Sequence, residues 1–434
     1  MTRTIFAVNK IVKNISYSLS GKVIAMIFLI LLDIFTARVL KISEYAEWSF
    51  FFSILTMMFY IGWFGINISA KVFISKCNNF EELRICTSEA FTLRLISSIS
   101  FLLVAYMIVP NLVGILGYPE KYPNLKSLLY ISPILVFLNS FTEFYKEFFT
   151  GTDKFKKVFE ITVLEYGGYF LFSLVLLFTF GKIQSVAFGY LFSGICVSIL
   201  GLISLKSEYS GIHVISLKLN GKYLWRIFRY AIPMALISLG TMILVEMDTF
   251  MLGILSTKTD LATYSIAKNI NAKATHLNYA ITVGSMTSFS TFSDDGLEKK
   301  KKQFRKMSRI NLLITIVVSL LLLISAPILI VFFYGKDYIF AETAICFLVP
   351  YYALYGISNF YAVFLDFREK AKLRSIAYIS IIVINLILNC LLIPKYGSIG
   401  AAVATDFSLV PYTIFVVILS KRELQNLEGG LAKW

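Results

Sequence analysis

Residues 310–334 read INLLITIVVSLLLLISAPILIVFFY, twenty-five positions without a charge. A helix rises about 1.5 Å per residue, so this run is long enough for the ~30 Å hydrocarbon core of a bilayer. A helix apolar on every face needs an apolar surround, which for a run this long means lipid. The eleven residues before it are opposite in character and hold Lys299–Lys302, Arg305, Lys306 and Arg309. This alternation of apolar run and basic connection recurs along the whole chain.

Working outward, we find spans near 17–40, 47–70, 88–109, 127–149, 158–180 and 185–205, then near 228–253, 261–285, 310–334, 342–363, 376–394 and 398–419. Pro133, Pro233, Pro327, Pro350 and Pro411 fall inside spans and are expected to kink them, since neighbours re-satisfy the freed carbonyls. The expected fold class is all-α, a polytopic membrane protein of about twelve transmembrane helices. Composition agrees: 57% of the 434 residues are hydrophobic and 15% charged. Soluble domains run nearer half and a quarter.

The net charge of +15 does not read as a nucleic-acid footprint, because the basic residues are spread between apolar stretches, as topogenic charges are. Alternate connections split them unequally. The set that includes the N-terminal tail holds 27 Lys and Arg, the other set 7, and 7 lie within spans. This places both termini in the cytoplasm. The longest polar stretches, 206–227 and 286–309, are then cytoplasmic, and no outward loop is large enough to house an active site. With His213 and His276 the only histidines, and no C-x-x-C among Cys77, Cys86, Cys196, Cys346 and Cys390, no metal or cofactor site is expected.

The chain also repeats. Residues 33–40, DIFTARVL, echo 248–255, DTFMLGIL, and each is followed by an aromatic-Ser pair, Trp48-Ser49 and Tyr264-Ser265. Phe180-Gly181-Lys182-Ile183 echoes Tyr396-Gly397-Ser398-Ile399 in the outward turn before the last span of each half. The expected organisation is a six-helix bundle over 1–205, a cytoplasmic connection over 206–227 and a second bundle over 228–434. Six is even, so the halves are parallel, related by an axis along the membrane normal, with a substrate cavity between them.

Several of these segments resemble the polysaccharide (O-antigen type) flippases of the multidrug/oligosaccharidyl-lipid/polysaccharide exporter superfamily. Residues 230–253, YAIPMALISLGTMILVEMDTFMLG, resemble that family's seventh span, and ATYSIAKNI at 262–270 follows. FYGKDYIFA at 333–341 resembles the turn after the ninth span. NLILNCLLIPKYGSIGAAVATDFS at 385–408 resembles spans eleven and twelve. TARVLKISEYAEWS at 36–49 resembles the first outward turn, with Lys41 and Ala46 where the family often has glycine. The resemblance implies a flippase of the bacterial inner membrane, not an enzyme. It would move an undecaprenyl-diphosphate-linked oligosaccharide to the outer leaflet. Its partners would be that substrate, membrane lipids and other polysaccharide assembly proteins.

Such a headgroup is doubly anionic and cannot cross hydrocarbon unaided. Cationic groups in a wet cavity would hold the diphosphate through charge-assisted hydrogen bonds. Charges within spans are the residues to weigh. Lys273 lies near the middle of the eighth span, where a long stem reaches the interface least easily, with Asn269 and His276 on its face. Tyr264, Lys268, Asn271, Thr275, Asn278 and Thr282 occupy another face, so this helix should line water or pack on polar partners. Lys273, Lys268, Arg94, Lys22, Asn271 and His276 are the candidate cavity residues, with a structural ion pair as the alternative for Lys273 and snorkelling for Lys22 and Arg94. Glu165, Glu246, Asp33 and Asp248 are candidates for ion coupling or charge neutralisation, the two aspartates also for fixing the turns after spans one and seven. On the fourth span, Glu143 and Lys146 suit a local pair.

Three rivals remain open. A multidrug/cation antiporter of the same superfamily should carry an acidic, aromatic cavity rather than a basic helix. A peptidoglycan-precursor flippase usually has fourteen spans. An integral-membrane polysaccharide-biosynthesis enzyme needs a large outer loop or a clustered His/Asp/Arg site.

Overall fold

The computed structural model describes residues 2–115, 120–209, 221–290, 297–367 and 370–426, and every regular element in them is helical. The helices are α1 (Thr2–Val39), α2 (Ile42–Trp63), α3 (Ile66–Ile74), α4 (Phe80–Ile115), α5 (Leu125–Gly151), α6 (Phe155–Phe180) and α7 (Gln184–Glu208). Then come α8 (Lys222–Leu255), α9 (Lys258–Ser290), α10 (Leu297–Leu329), α11 (Ala341–Phe367) and α12 (Ala371–Asn426).

Nine helices of the described residues are long and apolar enough to span a bilayer, or ten when α2 and α3 count as one span bent by 44°. Two further features reconcile this with twelve spans. Helix α12 contains the non-helical residue Gly397 and joins two spans end to end. Helix α9 has the length of a span but is too polar to pass a test of hydropathy. The bend between α2 and α3 falls at Phe64 and Gly65, both left-handed at φ 45° and 67°. Downstream of Pro327 the backbone widens into a π-turn over Ile330–Tyr334.

The chain separates into two compact units, residues 1–246 and 247–434. The division falls inside α8, beyond the 206–227 connection, of which residues 210–220, with His213, lie outside the described residues. The first turns of α8 belong to unit 1 for two reasons. Ile227 and Ala231 are fully buried in a core with Ile66, Phe144 and Phe148. The buried Glu89 carboxylate accepts the backbone N–H groups of Tyr223 (2.7 Å) and Leu224 (2.8 Å), donors that a helix start otherwise leaves unpaired.

In unit 1, α5 packs against α2, α3, α4, α6 and α7, and 61% of its most apolar window is buried. In unit 2, α11 packs against α9, α10 and α12 with 56% buried, whereas the other single-helix spans have 11–33%. These two are the fourth span of each half in the repeat, so the same position in the order is central in both units.

Candidate functional site

In unit 2 the polar groups of α9 converge on its own neighbours. Asp248, 5% exposed near the end of α8, receives Asn389 Nδ2 at 2.6 Å, Thr405 Oγ1 at 2.6 Å and the Tyr264 hydroxyl at 2.9 Å. Four helical segments thus meet on one carboxylate. Asn385, one turn before Asn389, accepts its amide at 3.0 Å. One turn along α9 from Tyr264, Lys268 Nζ donates to Thr249 Oγ1 at 2.9 Å. Asn271, 3% exposed, donates to the Leu348 carbonyl of α11 at 2.6 Å, and its own side-chain oxygen is buried without a hydrogen bond. Lys273 is half-buried on the adjoining face. The His276 side chain lies outside the described residues. The face of Tyr264, Lys268 and Asn271 therefore packs on polar partners, one of the two fates expected for such a helix.

In unit 1 the ionic groups form a second centre. Lys146 of α5 lies in the fork between Glu143, one turn away, and Glu165 of α6, at 2.9 Å. The Tyr166 ring is 5.7 Å from the same ammonium. Glu147 turns to Lys71 of α3 at 2.8 Å. Two carboxylates share one ammonium here, a surplus of one acid in a largely buried cluster. Asp33 is half-buried and accepts the Tyr45 hydroxyl at 2.9 Å. Glu246 is buried, and Lys22 is exposed on α1.

Arg94 has a different environment from that of a cavity cation. It is fully buried and donates to the carbonyls of Gly62 (2.6 Å) and Trp63 (2.9 Å) and to Ser98 Oγ (3.0 Å). Those carbonyls end α2, where the bend leaves them without helical donors. Arg94 thus caps a broken helix, and Trp63 Nε1 extends the network to Asn139 at 2.9 Å and on to Tyr190.

Depth in a span singles out Lys273, Glu165 and Glu246, and the repeat singles out Asp33 and Asp248, but neither signal names their partners. Sequence reasoning missed Asn389 and Thr405, although Asn385 and Asn389 recur at i,i+4 in an apolar span and sit within a segment that carries the family resemblance. Among the described residues no group of three His, Cys, Asp or Glu side chains is arranged to hold a metal ion.

On the outer face expected of unit 1, the turn after α6 and the start of α2 enclose a pocket of about 470 Å3 lined by Glu44, Asn124, Lys182, Ile183 and Gln184. The repeat-related turn of unit 2 is filled. Asp260 accepts the hydroxyls of Thr257 (2.6 Å) and Ser256 (2.8 Å) and lies 3.4 Å from the Ser398 amide. Burial raises the Asp260 pKa, but these hydrogen bonds outweigh it and hold the carboxyl below its usual range.

Three kinds of relative fit this architecture. The model of the MatE family matches residues 233–391. An inward-facing multidrug resistance MATE transporter of the MOP superfamily superposes with a TM-score of 0.77 at 14% identity, over 94% of this chain and 96% of that one. The lipid II flippase MurJ superposes at 0.73 and 15% identity, over 94% and 87%. A single-residue mutant of the Vibrio cholerae MATE transporter VcmN gives 0.65 at 13% identity over 98% and 99%. No curated protein matches the sequence. The relatives are transporters and flippases rather than enzymes, and their likeness shows a shared fold. The model of the polysaccharide biosynthesis protein family matches residues 11–287, well over half of the sequence, and the chain is a member of that family built on the MOP-superfamily fold.

Proposed function

We propose that the chain is a flippase of the bacterial inner membrane, carrying an undecaprenyl-diphosphate-linked oligosaccharide from the cytoplasmic to the outer leaflet by alternating access of two six-helix halves. The observation that carries this reading is the character of α9. Between residues 261 and 290 it holds Lys268, Lys273 and His276 and no carboxylate. A cation exporter has no use for such a helix, whereas a diphosphate carrier requires cations that lipid cannot supply. Membership of a polysaccharide biosynthesis family points to the same class of substrate.

In this reading Lys273 holds the diphosphate, assisted by His276, while the polyprenyl tail stays in lipid; Lys268 and Asn271 tie α9 to α8 and α11. Lys22, exposed on α1, is the unit 1 candidate, and Arg94 supports the α2 bend. The surplus acid of Glu143 and Glu165 is the candidate for a coupling proton, with Asp33, Asp248 and Glu246 as alternatives. Both termini are cytoplasmic, so reporter fusions at Lys258 and Lys336 should read outside and one at Lys301 inside. Other polysaccharide assembly proteins are its expected partners.

The test is mass spectrometry of polyprenyl-linked intermediates in a deletion strain, complemented with Lys273 variants. Deletion should accumulate the complete lipid-linked unit on the cytoplasmic side. Lys273→Arg should restore part of the export and Lys273→Ala little. Removing one partner of a buried ion pair costs about 3–5 kcal/mol, so membrane abundance must be measured alongside. Normal abundance and parental export for Lys273→Ala would remove Lys273 from the site. No accumulation on deletion would remove the function.

A further inference from the structure

The outer turns of the two halves descend from one pattern, yet one is sealed and the other is open. In unit 2 an added Cβ at Gly397 would fall 2.5 Å from the Asp260 carboxyl carbon, so this turn has no room. In unit 1 nothing lies within 4 Å of the same position on Gly181, and the space beside it is the 470 Å3 pocket. Glu44 stands where the repeat places Asp260. Its carboxylate turns back to the Lys41 amide at 3.1 Å instead of crossing to the turn. The pocket is therefore a departure of one half from the shared plan, not a by-product of the fold.

The lining mixes polar and apolar surface, and its two amides are held in place. Glu47, 1% exposed, anchors Asn124 through both its backbone and side-chain nitrogens, the latter at 3.1 Å. Asn124 Oδ1 in turn takes Gln184 Nε2 at 3.0 Å, and Ser127 Oγ takes it at 3.3 Å. The two amides are thus held in fixed planes. Around them stand one carboxylate, Glu44, and one ammonium, Lys182, which makes no ion pair among the described residues. The lining itself carries one charge of each sign, which singles out neither a phosphate nor an organic cation. Fixed amides and a carboxylate suit a ligand whose hydroxyls donate and accept together. The volume lies within the range of small-molecule sites.

We propose that this pocket is a saccharide subsite, binding a neutral sugar of the headgroup on the face where the substrate would leave. The inference rests on the flippase reading and deepens it by naming where the sugar, rather than the diphosphate, is held.

The experiment is saturation-transfer NMR on the full-length protein in nanodiscs. The probes are the common bacterial hexoses, 6-deoxyhexoses and N-acetylhexosamines, with inorganic phosphate and tetraphenylphosphonium as ionic controls. Transfer to the ring protons of at least one sugar is expected, weakened at least tenfold in Glu44→Ala/Gln184→Ala. Lys182→Trp fills the pocket from an exposed position without removing a hydrogen bond, and should abolish the same signal at an unchanged melting temperature. No transfer to any sugar, or transfer undiminished in Lys182→Trp, overturns the proposal. So does binding of phosphate or the organic cation that Lys182→Trp blocks. The deletion-strain assay is independent: if the lipid-linked unit accumulates while no sugar binds, the subsite falls and the flippase reading stands.

Discussion

The carboxylate that closes the first span of each half meets its tyrosine in both units, but by different routes. In unit 1, Asp33 is half-buried and its tyrosine lies twelve residues on, at Tyr45. In unit 2, Asp248 is buried and its tyrosine lies sixteen residues on, at Tyr264. Trp48 fills the place in unit 1 that repeat spacing gives to Tyr264, and the hydroxyl comes from one turn earlier. The same hydrogen bond survives a shift of a helical turn, so what the two halves share is a contact and not a residue pattern. What separates them is burial and the outer turn. Asp248 is buried among Asn389, Thr405 and Tyr264 and Asp260 closes on the Gly397 turn, whereas Asp33 is half-buried and the outer end of unit 1 keeps an open pocket.

The largest effect expected from this difference is at the carboxylates. Asp248→Ala leaves the buried Tyr264 hydroxyl and one buried Asn389 N–H without their acceptor, each costing about 1–3 kcal/mol, while Thr405 can turn to the Ala401 carbonyl, so a loss of roughly 2 kcal/mol or more is expected. Asp33→Ala should lose about 1 kcal/mol, because water reaches a half-buried site. Thermal unfolding in detergent measures both, and equal losses would erase the distinction between the units.

The glycines come next. Gly397→Ala must displace the Asp260 carboxyl in a backbone region that L-residues avoid, φ 54° and ψ −128°. That should cost about 1–3 kcal/mol. Gly181→Ala meets open space and pays only the left-handed backbone penalty of about 1 kcal/mol. The same unfolding assay orders them, and a Gly181 variant as damaged as the Gly397 one would mean the unit 1 turn is not open.

A smaller effect belongs to pH. The Asp260 pKa is lowered in the folded chain, so its contribution is present above the unfolded value of about 3.9 and is lost as pH falls through the folded value. The melting gap between the parent and Asp260→Asn should be open at pH 7 and narrow below about pH 4. A gap that widens in acid would contradict the hydrogen-bond network assigned to that turn. The smallest effect is expected for Tyr45→Phe, about 1 kcal/mol or less, with Tyr264→Phe somewhat above it: the two rings are equally buried, but the Asp248 acceptor is buried and Asp33 only half-buried. Equal melting shifts would show that the exposure of the acceptor does not matter to the contact.

Most of the spans were legible as apolar runs, because crossing a bilayer imposes length and hydropathy locally. The α2–α3 break and the packing of the first turns of α8 with unit 1 were not, since both depend on contacts from elsewhere. Arg94 caps carbonyls more than thirty positions away, and α8 is drawn into unit 1 by Glu89 and by a core that no periodicity in α8 announces. The site was half legible for the same reason. A charge in mid-span declares itself by depth, but Lys146 reaches Glu165 across nineteen positions, and Asp248 reaches Asn389 and Thr405 across 141 and 157.

The polarity of α9 has a consequence for biogenesis. A segment with two mid-helix lysines and several asparagines partitions poorly into lipid on its own when it leaves the translocon. The groups that satisfy it are made later: Leu348 follows Asn271 by 77 residues, and Thr405 follows Tyr264 by 141. During synthesis α9 has therefore to wait, sheltered by α8 or by the insertion machinery, until α11 and α12 arrive. Unit 2 acquires its polar heart last, and a ribosome stalled before residue 348 would leave that helix without the partners that make it a span.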